Sequence, residues 1–204
     1  MADRRVGATG PHHGADGGLD VVQTVDVTDV LLVADTHLGA SEASRAADRI
    51  GPQLDRADLV LHAGDITHPA VLAALATHAP VRAVRGNNDL DIDLPERILV
   101  EVDGCTFAVV HESGPAAGRT TRLRRWFPDA DVVVFGHSHV PWHEIDVRPD
   151  GHVQRHVNPG SAVLRRRAPS CTVAHVVVEH GRVADVRHVT VGEPSTAGRS
   201  SVAT

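Results

Sequence analysis

The stretch VLLVADTH, residues 30–37, decides how this chain is read. Five consecutive apolar residues read as a strand buried on both faces, as in a parallel sheet. The run stops on Asp35, Thr36 and His37, at the strand end where open α/β sheets place their ligand crevice. The pattern recurs downstream: LVLHAG (59–64) stops at Asp65, and VRAVRG (81–86) at Asn87, Asn88 and Asp89. TFAVV (106–110) stops at His111, and VVVFG (132–136) at His137, Ser138 and His139. One such Asp or Asn is commonly a turn residue or a helix cap. A lone His is usually a surface group or a satisfied core residue. Five strand ends that together deliver Asp, His, Asp, Asn and three more His ask for one shared explanation.

Working outward, the apolar runs alternate with helical patterns in the first half. Residues 41–57 form an amphipathic stretch with Ser41 as its N-cap, and PAVLAALATH (69–78) carries Pro at a helix start. Strands at 30–34, 59–63 and 81–85 around these helices predict a parallel or mixed sheet covered by helices. In the second half, Asp103-Gly104, Asp150-Gly151 and His180-Gly181 each sit between two strand-like runs, as hairpin turns do. A basic helix is expected around residues 119–127. Consecutive hairpins imply a second, largely antiparallel sheet. The economical architecture is an α+β, four-layer α/β/β/α sandwich of two mixed sheets, with a metal site at the C-terminal ends of the strands. Residues 1–24 and 192–204 lack periodicity and read as flexible tails around one domain at 25–191, so His12 and His13 are taken as solvated.

Composition narrows the function classes. The chain has 204 residues, is 42% hydrophobic and 23% charged, and can build a globular core. No apolar run approaches the roughly 18 residues of a membrane span. The N-terminus has no apolar stretch of a signal peptide, so a cytoplasmic protein is expected. A net charge of −6 argues against a broad electrostatic footprint for nucleic acid. The 20 basic residues are all Arg, which reads as codon bias. Fifteen His against five aromatic residues is anomalous for a small domain and raises the question of metal. Cys105 and Cys171 are too few for a disulfide framework and are expected to be buried, reduced thiols.

The strand-end side chains are a nitrogen and oxygen set without sulfur, which suits Mn, Fe, Zn, Co or Ni better than Mg or Ca. Seven candidates exceed the four ligands of a closed zinc site and are the right number for two ions. One carboxylate shared between two ions, with a bridging water, sets them about 3.5–4 Å apart.

Asp35-Thr36-His37, Gly64-Asp65, the GNND of residues 86–89, His111 and the GHSH of residues 136–139 resemble, in order, the motifs of the calcineurin-like metallophosphoesterases. The chain is similar to their compact bacterial and archaeal phosphodiesterase branch, which the NPGS of residues 158–161 also matches. The resemblance implies that Asp35, His37 and His139 hold a first divalent ion. It implies that Asn87, His111 and His137 hold a second, and that Asp65 bridges them. Mn is the first expectation, with Fe, Ni, Co or Zn as alternatives. The implied reaction is hydrolysis of a phosphodiester by in-line attack of a hydroxide held between the ions. Many members have His where this chain has Asn88, a residue with no proton to donate near neutral pH. Asp89 is expected to orient ligands rather than act as an acid. His62, His68, His143 and His156 have no place in the pattern and are expected outside the coordination sphere.

Two rival readings are a non-catalytic scaffold of the same fold and a nuclease of the same superfamily. The scaffolds have broken metal positions, whereas no ligand position is lost here. The nucleases carry a cap for which this chain has no room. The expected partner is therefore a small phosphodiester, with no stable nucleic-acid partner and no membrane; a homo-oligomer stays open. Arg122, Arg124, Arg125 and residues 165–167 read by default as solvated basic faces.

Overall fold

The structure is a computed structural model, and it describes residues 20–25 and 29–192. Within the first sheet, β2 (Asp29–Val33), β3 (Leu59–His62) and β4 (Val81–Ala83) run parallel, Val30 opposite Leu59 and Val60 opposite Val81. Two helices cross over between them, α1 (Ser44–Leu54) and α2 (Pro69–Leu75). The sheet continues with β10 (Thr172–Glu179) and β11 (Arg182–Thr190), giving the order β11-β10-β2-β3-β4. The second sheet contains β1 (Asp20–Val25), β5 (Arg97–Val102), β6 (Cys105–Val110), β7 (Val132–Val134), β8 (Trp142–Val147) and β9 (Val153–Asn158). Its order is β1-β5-β6-β7-β9-β8. The α+β sandwich of two mixed sheets is thus present.

Three buried clusters define the four layers. Leu31, Val33, Val60 and Val173 face Ala46, Ile50, Leu54, Val71 and Leu75 of α1 and α2. Between the sheets, Val30, Leu32, Leu59 and Leu61 meet Val100, Phe107, Val132 and Val134. On the far side Ala108, Val110 and Val133 pack on Leu123 and Phe127, at and just beyond α3 (Arg119–Trp126). Alternate residues of one strand therefore serve different layers, and buried strands read as continuous apolar runs for that reason. Each fully buried Val, Leu or Phe contributes about 1.5–3 kcal/mol, which makes the inter-sheet layer the principal stabilising element.

Four differences from the sequence reading have physical causes. Asp20–Val25 pairs in parallel with β5, so the domain begins inside the span read as an N-terminal tail. Its sequence, DVVQTV, mixes polar and apolar residues and belongs to an edge strand, which lacks the continuous apolar signature. The remaining tail residues, with His12 and His13, lie outside the described ones, as do 193–204. The second sheet is not largely antiparallel: β1-β5, β6-β7 and β7-β9 are parallel pairs. The last hairpin joins the first sheet instead, antiparallel to β2. Ser41 does not cap a helix; it lies in a 3-10 turn (Ala40–Glu42) ahead of α1, which ends at Leu54. Asp103-Gly104 and His180-Gly181 do turn hairpins, all four residues at positive φ. Cys105 and Cys171 are buried and free.

Candidate metal centre

The parallel strands β2, β3 and β4 of one sheet, and β6 and β7 of the other, open their C-terminal ends at one rim. Beyond the strands the chain keeps pairing: the amide of Asp35 donates to Gly64 O (3.0 Å), that of His37 to Asp65 O (3.0 Å) and that of Gly136 to His111 O (3.0 Å). The amide of His137 donates to Asp35 Oδ1 (3.1 Å), which joins the two sheets at the rim. Asp35, His37, Asp65, Thr67, His137 and His139 all have φ between 48° and 71°. That left-handed region is uncommon outside glycine, and six such residues at one rim mark a site whose geometry the surrounding fold enforces. Gly86 completes it. A Cβ there would lie 2.2 Å from Asp65 Oδ1, so only glycine lets the loop close over that carboxylate.

All seven sequence-predicted ligands meet at this rim. Asp35, His37 and His139 form one group able to hold a metal ion, and Asp65, His111 and His137 another. In the first, His139 Nε2 lies 3.4 Å from Asp35 Oδ1, and His37 Nε2 lies 3.2 Å from His139 Nε2, the two rings stacked. In the second, Asn87 Oδ1 lies 3.1 Å from His111 Nε2 and 3.0 Å from His137 Nδ1. Asp65 Oδ2 stands between the groups, 3.5 Å from His37 Nε2 and 3.4 Å from His111 Nε2. Nitrogen and oxygen donors drawn this close, without sulfur, fit divalent transition metals. Asp35 Oδ2 is buried with no hydrogen-bond partner, and a cation would satisfy it.

The supporting shell fixes ring and carboxylate directions. His111 Nδ1 donates to Ala63 O (2.7 Å) and His139 Nδ1 to Leu164 O, so both rings turn Nε2 inward. Ser161 Oγ donates to Asp35 O (2.7 Å), and Asn158 Nδ2 donates to Gly136 O (2.8 Å), which explains the residues 158–161 motif. Asp89 is buried and accepts from the amides of Gly86 (2.7 Å), Ile66 (2.8 Å) and Thr67 (2.6 Å). It clamps the Asn87 loop onto the Asp65 turn. Asn88 donates from its backbone to Asp65 Oδ1 (2.9 Å) and from Nδ2 to Asp65 Oδ2 (2.7 Å), a contact that the sequence did not announce. Of the four unassigned histidines, His62 is buried beneath the rim: it accepts from Gly64 N at Nδ1 and lies 3.2 Å from Thr36 Oγ1 through Nε2. His68 caps α2, accepting from Ala70 N. His156 Nε2 is 2.7 Å from Gln154 Oε1, and His143 is half-buried on β8.

Burial and charge set the two groups apart. Burial raises the Asp35 carboxyl to about 7. It also lowers His37, and lowers His139 to about 4. Asp65 behaves oppositely. Burial pushes it up, but hydrogen bonds from His111 and from the Asn88 amide outweigh this and hold it well below the carboxylate range. His111 is raised, because its hydrogen bond to Asp65 and its contact with Ala63 O overcome burial. Arg166, exposed and itself at φ 45°, adds positive field at Asp35, His37 and His139.

The chain is 32% identical over 168 residues to the "Probable metallophosphoesterase" of Methanothermobacter thermautotrophicus, covering 80% of this chain and 92% of that one. In fold it is similar to a predicted phosphoesterase from Streptococcus pneumoniae, with TM-score 0.60 and 22% identity over 81% of this chain and 91% of that one. It is likewise similar to a structure titled an archaeal phosphodiesterase, with TM-score 0.59 and 20% identity over 79% of this chain and 99% of that one. The calcineurin-like phosphoesterase superfamily domain matches residues 29–181, from β2 through the last hairpin turn, and the chain belongs to that family.

Proposed function

We propose that this protein is a cytoplasmic, dinuclear-metal phosphodiesterase acting on a small phosphodiester, with Mn as its working ion and Fe, Ni, Co or Zn as alternatives. The observation that carries the reading is Asp65 Oδ2, shared at 3.5 and 3.4 Å by imidazoles of two separate donor groups. Asp35, His37 and His139 would hold one ion; Asn87, His111 and His137 the other; Asp65 both. Two divalent ions bound there would supply positive charge that acidifies water and stabilises the phosphorane-like charge of an in-line displacement.

The chain's own residues constrain the rest. Asn88 has no proton to give at neutral pH, and its amide is engaged on Asp65. Both carboxylate oxygens of Asp89 are taken by backbone amides, so it positions the loop and cannot protonate a leaving oxygen. With neither Asn88 nor Asp89 able to give a proton, departure favours good leaving groups, and aryl diesters should react faster than alkyl monoesters. A net charge of −6 supports a small substrate over a stable nucleic-acid partner. Among the described residues no helix is long and apolar enough to cross a membrane. The test is a panel of aryl and alkyl mono- and diesters, with 2′,3′- and 3′,5′-cyclic nucleotides, run on chelator-stripped and metal-restored protein. Diester turnover lost on stripping and restored by Mn is the expected result. Full activity of stripped protein would overturn the reading.

A further inference from the structure

Beside the metal centre lies a recess of about 250 Å³, lined by Glu112, Ser113, Pro115, Arg119, His137 and Ser138. His137 belongs to both, so whatever occupies the recess abuts the ligand group around Asp65 and His111.

Arg119 is the unusual member. It opens α3 directly after Gly118, which turns the chain at φ 68°. Its guanidinium carbon sits 5.1 Å from the Phe135 ring centre and 5.2 Å from that of Trp142. Nε is buried and has no hydrogen-bond partner. No ion pair to Arg119 exists among the described residues, whereas its neighbours on α3 are engaged. Arg122 donates to Ser113 O (2.8 Å) and Pro115 O, and Arg124 lies 3.4 Å from Asp146. Two aromatic rings hold this cation by their faces and leave its N–H fork without an acceptor. Glu144 acts on Arg119 through its charge, but it accepts from Thr120 Oγ1 (2.8 Å) and makes no hydrogen bond to the guanidinium, so the buried Nε of this partly buried cation still lacks an acceptor.

Ser138 adds a second donor. Its Oγ accepts from Val140 N (3.3 Å) and from Asn158 Nδ2 (3.1 Å), so both lone pairs are used and its O–H remains to give. Glu112, half-exposed with Oε1 3.8 Å from His137 Nδ1, is the one carboxylate of the recess. It sits on the histidine side.

We infer that this recess is an anion subsite in which Arg119 and Ser138 hold a phosphoryl group adjacent to the scissile one. The inference rests on the phosphodiesterase reading and names its substrate class: small phosphoesters that carry a second phosphate. Free inorganic phosphate has the same chemistry and would occupy the same donors as an inhibitor.

The experiment has two arms on the metal-loaded protein. In the first, the p-nitrophenyl ester of thymidine 5′-phosphate is compared with the same ester bearing a 3′-phosphate. The added phosphate is expected to lower KM about tenfold or more, since hydrogen bonds to a charged group are worth at least that. Arg119→Met, which keeps the stem against the two rings, should collapse the ratio of kcat/KM between the two esters to near one, and Arg119→Lys should restore part of it. In the second arm, inorganic phosphate is titrated against Trp142 fluorescence in a Trp126→Phe background. Saturable quenching, weakened about tenfold by Arg119→Met, is expected. No preference for the phosphorylated ester together with no Arg119-dependent quenching would overturn the subsite while leaving the phosphodiesterase intact. Quenching without turnover of either ester would instead remove the proposed activity and keep the subsite. A preference that survives Arg119→Met, or that tracks quenching insensitive to Arg119, would show that the ions alone hold the second phosphate and would also overturn it.

Discussion

The two donor groups of the rim use the same residue types and differ in almost everything else. Asp35 and His139 are fully buried, and His37 is partly so. In the other group His137 leaves 53% of its side chain in solvent. Without an ion, the buried group is an almost neutral set: burial holds a proton on Asp35 up to about 7 and keeps His37 and His139 neutral. In the other group Asp65 is ionised and its hydrogen bond raises His111. One set of ligands thus tolerates two electrostatic solutions. Hydrogen bonding decides which is used: Asp65 and His111 are almost as deeply buried as Asp35, but Asp65 accepts from both His111 and Asn88 while Asp35 Oδ2 has no partner. On the proposed two-ion reading, the Asp35 group would take up an ion by losing a carboxyl proton, whereas Asp65 is already ionised.

That contrast can be broken most severely at the residue both groups share. Asp65→Ala should lower diester turnover by about 10³-fold or more, as it removes the carboxylate nearest both ions at once. Elemental analysis should show less than one ion per chain; two retained ions would mean that Asp65 is not shared. A smaller effect, and one that tells the groups apart, should come from the two histidines of the GHSH motif. His137→Ala should retain about one ion per chain, since the buried group is intact. His139→Ala should lose the buried ion and also lower the melting temperature, through the space left in a fully buried site. Equal metal content and equal stability in the two variants would erase the distinction drawn here.

Acidity sharpens the same comparison. Asp35 must release its proton before it can hold an ion, and its value near 7 makes that harder as pH falls. His111, raised above the ordinary imidazole value by its hydrogen bond to Asp65, competes with protons at higher pH than a free imidazole does. Ion binding at the Asp35 group should therefore weaken on acidification through pH 7. One displaced proton per ion corresponds to about tenfold in affinity per pH unit. Competition with a chromophoric chelator at pH 6, 7 and 8 measures it, and affinities flat over that range would contradict the protonation states assigned. The smallest effect belongs to the support beneath the buried group. Ser161→Ala removes the hydroxyl that donates to Asp35 O and accepts from Leu164 N, and should cost about 1–3 kcal/mol in denaturant unfolding. Turnover should fall far less than in Asp65→Ala.

How much of this was legible in the sequence depends on the range of the interaction. Asp35, Asp65, His111 and His137 were readable because each ends an apolar run, and a strand's end is a local feature. Those strand ends bring their donors together at the candidate metal centre. The destination of the last hairpin was not readable. Alternation in residues 171–191 reports that β10 pairs with β11, while the choice of β2 as its next neighbour is made by packing across the sheet. Asp20–Val25 was missed because it is an edge strand paired only to β5, and its sequence DVVQTV has no continuous apolar run. Asn88 was read as a gap in the catalytic pattern. Only the folded loop shows both of its N–H groups directed at Asp65. Arg119 was one of many arginines until the fold brought Phe135 and Trp142 against it.

The central claim is that two ions, joined through Asp65, are needed for turnover. Stripped protein should be titrated with Mn while diester hydrolysis and the EPR signal of bound Mn are followed in the same samples. The account predicts little activity at the first equivalent, filling the buried group with an isolated-ion signal. Activity should then rise with the second equivalent as a coupled two-ion signal replaces it. Full activity at one equivalent, or two ions bound without magnetic coupling, would contradict a shared carboxylate between the two groups.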